Sequence, residues 1–208
     1  MIQDIAPKHL DNQYKNLSPE NDDTVFFFEG NAVLGKQEGD CIKYPSYSDF
    51  VSKVQKASEM PVNETYDFIY LFAVSDENGR EQRYFLALPK RKVQKGAFLG
   101  EMADAGIHAE YENIIEGCDF IGVNIFRLAK PKDVSFAYHL YGWYRDNRYC
   151  GRCGKLMFHG ESERMMHCMD CKNTVYPKIC PAVIVAVTDK DRILLTKYAG
   201  RTYRNYAL

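Results

Sequence analysis

Two Cys-x-x-Cys pairs, Cys150-Gly-Arg-Cys153 and Cys168-Met-Asp-Cys171, are separated by 14 residues. A Cys-x-x-Cys turn directs two sulfurs to one point, and two such turns supply the four thiolates of a tetrahedral zinc site. The segment between the pairs is long enough for a β-hairpin. Protein thiolates would fill all four positions and leave none for a reactive water. The spacing therefore predicts one structural zinc ion bound by Cys150, Cys153, Cys168 and Cys171.

Other interpretations of this segment are weaker. A redox Cys-x-x-Cys needs only one pair and a thioredoxin-like βαβ context, which the sequence does not suggest. His159 and His167 lie between the two pairs and could compete as ligands, but with four thiolates available we expect both on the surface. Gly151 and Gly154 stand where the first turn needs a permissive backbone. The four cysteines are therefore the predicted zinc ligands.

Composition limits the classes of protein to which the chain could belong. Its 208 residues include 27 basic and 28 acidic side chains, so the charge balance predicts no general attraction to nucleic acid or to anionic membranes. No basic segment followed by an apolar run opens the chain, and no stretch is apolar for long enough to cross a bilayer. With seven cysteines, an odd number, we expect reduced thiols in a cytoplasmic protein. Cys41, Cys118 and Cys180 have no partners at ligand spacing, and we expect them to be buried apolar side chains.

The first segment, residues 1–129, is predicted to be a mixed α/β domain. After a polar arm or loop through Asp23, Thr24–Phe28 and Asn31–Leu34 are typical of two strands joined by a tight turn. Asp49–Glu59 has the apolar spacing of a short amphipathic helix. Tyr66–Val74 and Arg83–Leu88 flank an Asn-Gly turn and predict a hairpin. Because both faces of its first strand are apolar, we expect that strand deep in a sheet.

A small basic cluster, Lys90-Arg-Lys92 with Lys95, follows this hairpin. We interpret it as a solvated loop rather than a phosphate contact.

The second segment, residues 130–178, is predicted to hold a linker helix and the zinc ribbon. Asp133 is a candidate N-cap. The helix should bury one face, formed by Val134, Ala137, Leu140, Tyr141 and Tyr144.

The third segment, residues 179–208, is predicted to begin a further domain. Ala182–Val187 and Ile193–Thr196 bracket a charged turn and predict a hairpin with a strongly apolar strand.

Several segments from Val134 onward form a specific combination: the helix through Trp143, Tyr149-Cys-Gly-Arg-Cys-Gly154, Glu163, Cys168-Met-Asp-Cys171, Val175-Tyr-Pro177, Pro181-Ala-Val-Ile-Val185 and Ile193-Leu-Leu195. In these residues the sequence from Val134 to Leu208 resembles the NADH pyrophosphatases of the Nudix hydrolase superfamily. The resemblance implies an α+β protein: an N-terminal mixed α/β domain, a four-cysteine zinc ribbon and the first strands of an incomplete Nudix α/β/α fold.

The resemblance also implies an activity. The family cleaves the pyrophosphate of NAD(H) to nicotinamide mononucleotide and AMP, and members also remove NAD caps from RNA. Such enzymes are typically homodimers with a structural zinc and catalytic magnesium or manganese. By position, Glu163 and Tyr176 match residues that contact the substrate. Ile184 could line the pocket, but a core position in a strand explains it equally well. Without the resemblance, a solvated carboxylate and a packed tyrosine would be the simpler interpretation of Glu163 and Tyr176.

The catalytic Nudix box does not occur in these residues. That motif sets several glutamates on one helical face, where they bind the divalent cations. The sequence contains no Glu-Glu dipeptide, no Walker-type phosphate loop and no His-Glu-x-x-His motif. In the family the box begins within a few residues of the position of Leu208. We therefore expect an N-terminal and zinc-ribbon portion of the hydrolase, truncated before the box and inactive alone.

An alternative from another class is a self-contained zinc-ribbon module that binds nucleic acid or a protein partner. Arg148, Arg152, Lys155 and Arg164 would offer it a modest basic patch. The balanced charge argues against it, and salt-dependent binding of RNA would favour it. The sequence does not indicate which of NADH, NAD or capped RNA is preferred, where a dimer interface lies, or what the N-terminal domain contributes.

Overall fold

The computed structural model describes residues 6–39, 41–57, 61–90, 118–122, 132–178, 183, 185–197 and 206–207. The chain divides into two compact units, Met1–Pro177 and Lys178–Leu208. The first unit contains both the predicted N-terminal domain and the predicted ribbon. The predicted α+β class is confirmed, since short helices accompany a larger number of strands.

The elements are as follows. The strands are β1 (His9–Asp11), β2 (Thr24–Phe26), β3 (Phe28–Glu29), β4 (Ala32–Glu38), β5 (Cys41–Lys43), β6 (Tyr66–Ser75), β7 (Glu81–Pro89), β8 (Asp119–Gly122), β9 (Met157–His159), β10 (Met166–Cys168), β11 (Thr174–Val175), β12 (Thr188–Asp189), β13 (Arg192–Ile193), β14 (Thr196–Lys197) and β15 (Tyr206–Ala207). The helices are α1 (Tyr47–Ala57), α2 (Val62–Thr65) and α3 (Lys132–Asp146).

The first sheet has the strand order β1-β6-β7-β2, and its centre is the predicted hairpin of β6 and β7. Gly79 in the connecting turn has φ +75°, a left-handed conformation that glycine adopts without strain. β6 lies between two neighbours, so its predicted place deep in a sheet is confirmed. β1 extends the polar N-terminal arm and was not predicted as a strand, because His9–Asp11 carries no β pattern of its own.

The second sheet is organised by β4, which pairs antiparallel with β3, β5 and β8. Gly30, at φ +55°, forms the predicted turn between β3 and β4. The strand predicted at Thr24–Phe28 is two strands: β2 pairs parallel with β7 of the first sheet, and β3 pairs with β4 of the second. This short aromatic run therefore connects the two sheets.

Helices α1 and α3 cover the sheets with apolar faces. The predicted helix at Asp49–Glu59 is α1, whose Phe50 is fully buried. α3 begins at Lys132, so Asp133 lies in its first turn and the predicted N-cap is wrong by at least one residue. The predicted buried face of α3 is confirmed at all five positions: Val134, Ala137, Leu140, Tyr141 and Tyr144.

The ribbon shares its core with the first sheet and α3. Cys150, Met157, Met166 and Cys168 are buried in one cluster with residues of β6, β7 and α3. A three-stranded ribbon is too small to build a core of its own. Its apolar side chains therefore depend on the domain beneath it.

The second unit contains the predicted charged-turn hairpin, reduced to β12 and β13. The apolar strand predicted at Ala182–Val187 is wrong at its described residues: 183 and 185–187 lie outside β12, with Val183 84% exposed and Val185 62% exposed. Several predicted features lie outside the described residues: the cluster members Arg91, Lys92 and Lys95, the buried cysteine Cys180, and Ala182 and Ile184 of the apolar strand. Among the residues described, no helix is long and apolar enough to cross a membrane.

Candidate metal centre

Strands β9, β10 and β11 form an antiparallel ribbon with β10 in the middle. The predicted hairpin between the two cysteine pairs is thus β9 and β10, in which Cys168 pairs with Met157. One turn precedes β9 and the other connects β10 to β11. The ribbon brings the two turns to the same end, which gathers all four cysteines.

The four thiols fit a single tetrahedral zinc ion. Their Sγ atoms all lie within 4.8 Å of one another. The Sγ atoms of Cys150 and Cys171 are 3.4 Å apart, and those of Cys153 and Cys168 are 3.5 Å apart. Around zinc, with Zn–S bonds of about 2.3 Å, tetrahedral geometry sets the sulfurs about 3.8 Å apart. The observed separations bracket that value, so little movement is needed to admit the ion.

Each cysteine turn is closed by a backbone hydrogen bond from the residue after its second cysteine. In the first turn, the Gly154 amide donates to the Cys150 carbonyl at 2.8 Å, and Gly154 has φ +72°. In the second, the Lys172 amide donates to the Cys168 carbonyl at 3.0 Å, and Lys172 has φ +60°. The predicted need for a permissive backbone is therefore correct at Gly154. It is wrong at Gly151, where φ is not left-handed and a Cβ would meet nothing within 4 Å.

Backbone amides and neighbouring sulfurs shift the pKa values of Cys150 and Cys153 in opposite directions. Burial raises the pKa of Cys150, but the Arg152 and Cys153 amides outweigh it and lower that pKa to about 6. The Lys155 amide favours the Cys153 thiolate, yet burial and the Cys168 sulfur raise the pKa of Cys153 to about 12. Four sulfurs this close cannot all ionise without a cation. Zinc would supply that charge and displace the remaining protons.

The two histidines of the ribbon are both half-buried, so the prediction that they lie on the surface holds only in part. Burial lowers the pKa of His159, whose ring lies 5.2 Å from that of Tyr144. His167 is half-buried, with its Nε2 3.2 Å from Sδ of Met169. Both are excluded from the metal-ligand group, which consists of the four cysteines among the residues described.

The remaining cysteine predictions hold only in part. Cys41 is exposed in β5, so the prediction of a buried side chain is wrong. Cys118 is half-buried, and burial raises the pKa of its thiol.

Glu163 and Tyr176 are brought into direct contact. The Tyr176 hydroxyl donates a 2.8 Å hydrogen bond to Oε2 of Glu163. This bond to a carboxylate raises the pKa of the Tyr176 phenol, which keeps it protonated and donating. Tyr176 is 50% exposed, so about half of its surface is accessible to solvent. Tyr176 and Glu163 thus place an accessible aromatic ring next to a carboxylate.

The basic patch predicted for the ribbon loses one member. Arg152 and Lys155 are exposed, but Arg164 turns inward, where its guanidinium donates to the Leu71 carbonyl in β6. Its guanidinium carbon lies 5.5 Å from the centre of the Tyr14 ring. Sequence reasoning could not find these contacts, because Arg164 is separated from its partner Leu71 by 93 residues.

Residues 145–176 match the NADH pyrophosphatase zinc ribbon domain. The chain is 34% identical over 137 residues to the NAD-capped RNA hydrolase NudC of Pseudomonas fluorescens strain Pf-5, covering 59% of this chain and 47% of the relative. The NudC proteins of P. fluorescens strain Pf0-1 and P. putida strain F1 are 36% and 37% identical over 87 residues, covering 40% of this chain and 32% of each relative.

The predicted resemblance to the NADH pyrophosphatases is confirmed. The match to their zinc ribbon domain contains all four cysteines, together with Glu163 and Tyr176. The chain spans less than half the length of the curated relatives it matches. The ribbon of this chain thus belongs to the NADH pyrophosphatase zinc ribbon family.

Proposed function

We propose that this chain is the N-terminal and zinc-ribbon portion of a hydrolase that cleaves the pyrophosphate bond of NAD(H) to nicotinamide mononucleotide and AMP. The relatives' description as NAD-capped RNA hydrolases supports the NAD cap of RNA as a further substrate. The observation that carries the proposal is the hydrogen bond between Tyr176 and Glu163 on a ribbon of this family. We further propose a cytoplasmic homodimer.

In this proposal Cys150, Cys153, Cys168 and Cys171 hold the zinc ion, which is structural. Zinc fixes the cysteine end of β9, β10 and β11, which is opposite the loop that carries Glu163. All four ligands are protein sulfurs, so the ion has no open position for a substrate or a water. Its contribution is folding energy and not chemistry.

The exposed ring of Tyr176 offers a face on which a nucleotide base can stack. Glu163 holds the hydroxyl and thereby fixes the ring, because a bond to a carboxylate is stronger than one to a neutral acceptor. The other carboxylate oxygen of Glu163 can accept from a ribose hydroxyl or an amide. Such a pair would bind and orient one nucleotide of the dinucleotide, and it would leave the reacting phosphates to other residues.

Catalytic magnesium or manganese requires a group of carboxylates, which the family supplies from the Nudix box. The sequence contains no Glu-Glu dipeptide from which that box could be built. We therefore propose that the 208-residue chain binds nucleotide without hydrolysing it. A pure preparation should produce no nicotinamide mononucleotide from NADH with either ion, as followed by chromatography. Clear turnover would contradict this part of the proposal.

The nucleotide-binding role is tested with the zinc-loaded chain and NADH, by fluorescence titration. Tyr176→Ala removes the ring and should weaken binding about tenfold, the effect of losing one stacking contact. Tyr176→Phe keeps the ring and should weaken binding less. Phe158→Ala is the control, because Phe158 is a ribbon aromatic of similar exposure whose ring lies beside His167 and not at Glu163. Equal effects of Tyr176→Ala and Phe158→Ala would contradict the assignment.

The alternative of a self-contained nucleic-acid module is disfavoured by the inward position of Arg164, which removes a cation from its basic patch. If that alternative is correct, uncapped RNA should bind as tightly as NAD-capped RNA, and its affinity should fall steeply with salt.

A further inference from the structure

A β-bulge in the first sheet lies beneath the ribbon. Along β6 and β7, Tyr70 pairs with Phe85 and Phe72 pairs with Tyr84, so Leu71 has no partner in the register of these two strands. A bulge leaves the extra residue's backbone groups outside the ladder. Leu71 is fully buried, which makes its carbonyl costly to leave without a donor.

Arg164 supplies that donor. Its Nη2 donates to the Leu71 carbonyl, and its guanidinium lies against the Tyr14 ring. Burial lowers the pKa of Arg164, an effect opposed by the nearby phenol of Tyr144. An arginine placed in such a half-buried position is held by its contacts rather than by solvent.

The loop that carries Arg164 is closed on itself and on the N-terminal arm. The Gly160 amide donates to the Met165 carbonyl, and the Met165 amide donates to the Glu163 carbonyl, each at 2.8 Å. Tyr14 donates its hydroxyl to the Gly160 carbonyl at 2.9 Å. A Cβ at Gly160 would lie 2.6 Å from the Glu163 carbonyl oxygen, so only glycine allows this closure. The bond between Gly160 and Met165 thus closes the loop, and contacts with Tyr14 and Leu71 attach it to the rest of the domain.

We propose that Arg164 is a positioning residue that holds Glu163 at the Tyr176 hydroxyl by fixing the loop 160–165 to the bulged Leu71. The adjacent residues point to opposite partners: Arg164 to the sheet, and Glu163 to Tyr176 at the exposed end of the ribbon. Zinc fixes the ribbon at the cysteine end, and Arg164 fixes the loop end. The inference rests on the proposed function only where it concerns nucleotide binding.

The test uses the zinc-loaded 208-residue chain and the variants Arg164→Met and Arg164→Lys, with Arg80→Met as control because Arg80 is exposed in the β6–β7 turn. Without ligand, hydrogen exchange of the Gly160 and Met165 amides should accelerate about tenfold in Arg164→Met, as expected for losing a charged hydrogen bond. Arg164→Lys should be intermediate and Arg80→Met unchanged. Zinc content should be equal in all of them.

The coupling to Glu163 is tested by NADH affinity in a double-mutant cycle. Arg164→Met should weaken NADH binding by roughly tenfold in the wild-type background and have little further effect in a Glu163→Ala background. A merely structural arginine would instead give the same loss in both. If Arg164→Met fails to fold, the same cycle with Arg164→Lys measures the coupling between Arg164 and Glu163.

Wild-type loop exchange in the Arg164 variants, or additive losses in the cycle, would overturn the inference. If the wild-type chain does not bind NADH at all, the proposed function fails, and the exchange experiment still decides whether Arg164 fixes the loop.

Discussion

The two cysteine turns of the ribbon have the same backbone and different sequences. In the first turn, the Cys150 amide donates to the Lys155 carbonyl at 2.7 Å, and in the second the Cys168 amide donates to the Asn173 carbonyl at 2.9 Å. Both turns place the residue after their second cysteine in the left-handed region. That residue is Gly154 in the first turn and Lys172 in the second.

The difference shows what the turn demands and what it tolerates. A left-handed conformation is free for glycine but costs other residues roughly 1–2 kcal/mol. Lys172 accepts this strain, and its Nζ donates to the Met169 carbonyl at 2.8 Å. The thiol environments differ as well. The Cys150 sulfur accepts hydrogen bonds from the Arg152 backbone amide and from the side-chain amide of Asn173, which lies in the other turn. Both turns bring their two sulfurs to the same point, and the left-handed residue that this requires can be glycine or lysine.

The largest effect should come from removing a ligand, and it should be the same in both turns. Cys153→Ser and Cys168→Ser should each reduce zinc content from about one ion per chain to almost none and loosen the ribbon, because zinc binding is folding energy for this segment. The measurement is elemental analysis after dialysis. Cys41→Ser is the control, since Cys41 is exposed in β5. Retention of full zinc by either ligand variant would refute the site.

A smaller effect should distinguish the two glycines of the first turn. Gly154→Ala forces a left-handed alanine and should lower the free energy of unfolding by about 1 kcal/mol, measured by urea denaturation of the zinc-loaded chain. Space is not the reason, since a Cβ at Gly154 would meet nothing within 4 Å. Gly151→Ala should change stability little. If the two variants behave alike, the backbone argument is wrong.

The smallest effect should appear in the second turn, with opposite sign. Lys172→Gly removes the left-handed strain and should raise the free energy of unfolding by up to about 1 kcal/mol, reduced by the greater freedom of glycine in the unfolded chain. Lys172→Ala separates the two contributions, because it loses the bond to Met169 and keeps the strain. A Lys172→Gly variant less stable than Lys172→Ala would show that strain is negligible at this position.

Much of the ribbon could be predicted from spacing alone. Two cysteine pairs 14 residues apart imply a hairpin between them and a common metal, and β9 and β10 confirm the hairpin. The apolar period of α3 likewise predicted its buried face. These are local patterns, in which a few residues carry the whole signal.

The long-range contacts could not be predicted. Tyr14 contacts Gly160 across 146 residues of sequence, and Arg164 contacts Leu71 across 93. The residues around each partner show no pattern that would predict the contact. Lys172 shows the same limit at short range, since nothing in its type indicates a left-handed backbone. The exposure of Cys41 and the partial burial of His159 likewise depend on the neighbours that folding brings. The resemblance to a family indicated Glu163 and Tyr176 as separate substrate contacts, but the bond between them was not predicted.

The most direct test of the central claim is the absorption spectrum of the chain loaded with cobalt(II) in place of zinc. Four thiolates around one tetrahedral ion should give intense sulfur-to-cobalt charge-transfer bands and visible bands of a tetrahedral ion, saturating at about one equivalent. Cys150→Ser should weaken both sets of bands. Saturation without thiolate bands, or a spectrum of octahedral cobalt, would contradict a four-cysteine metal centre in this ribbon.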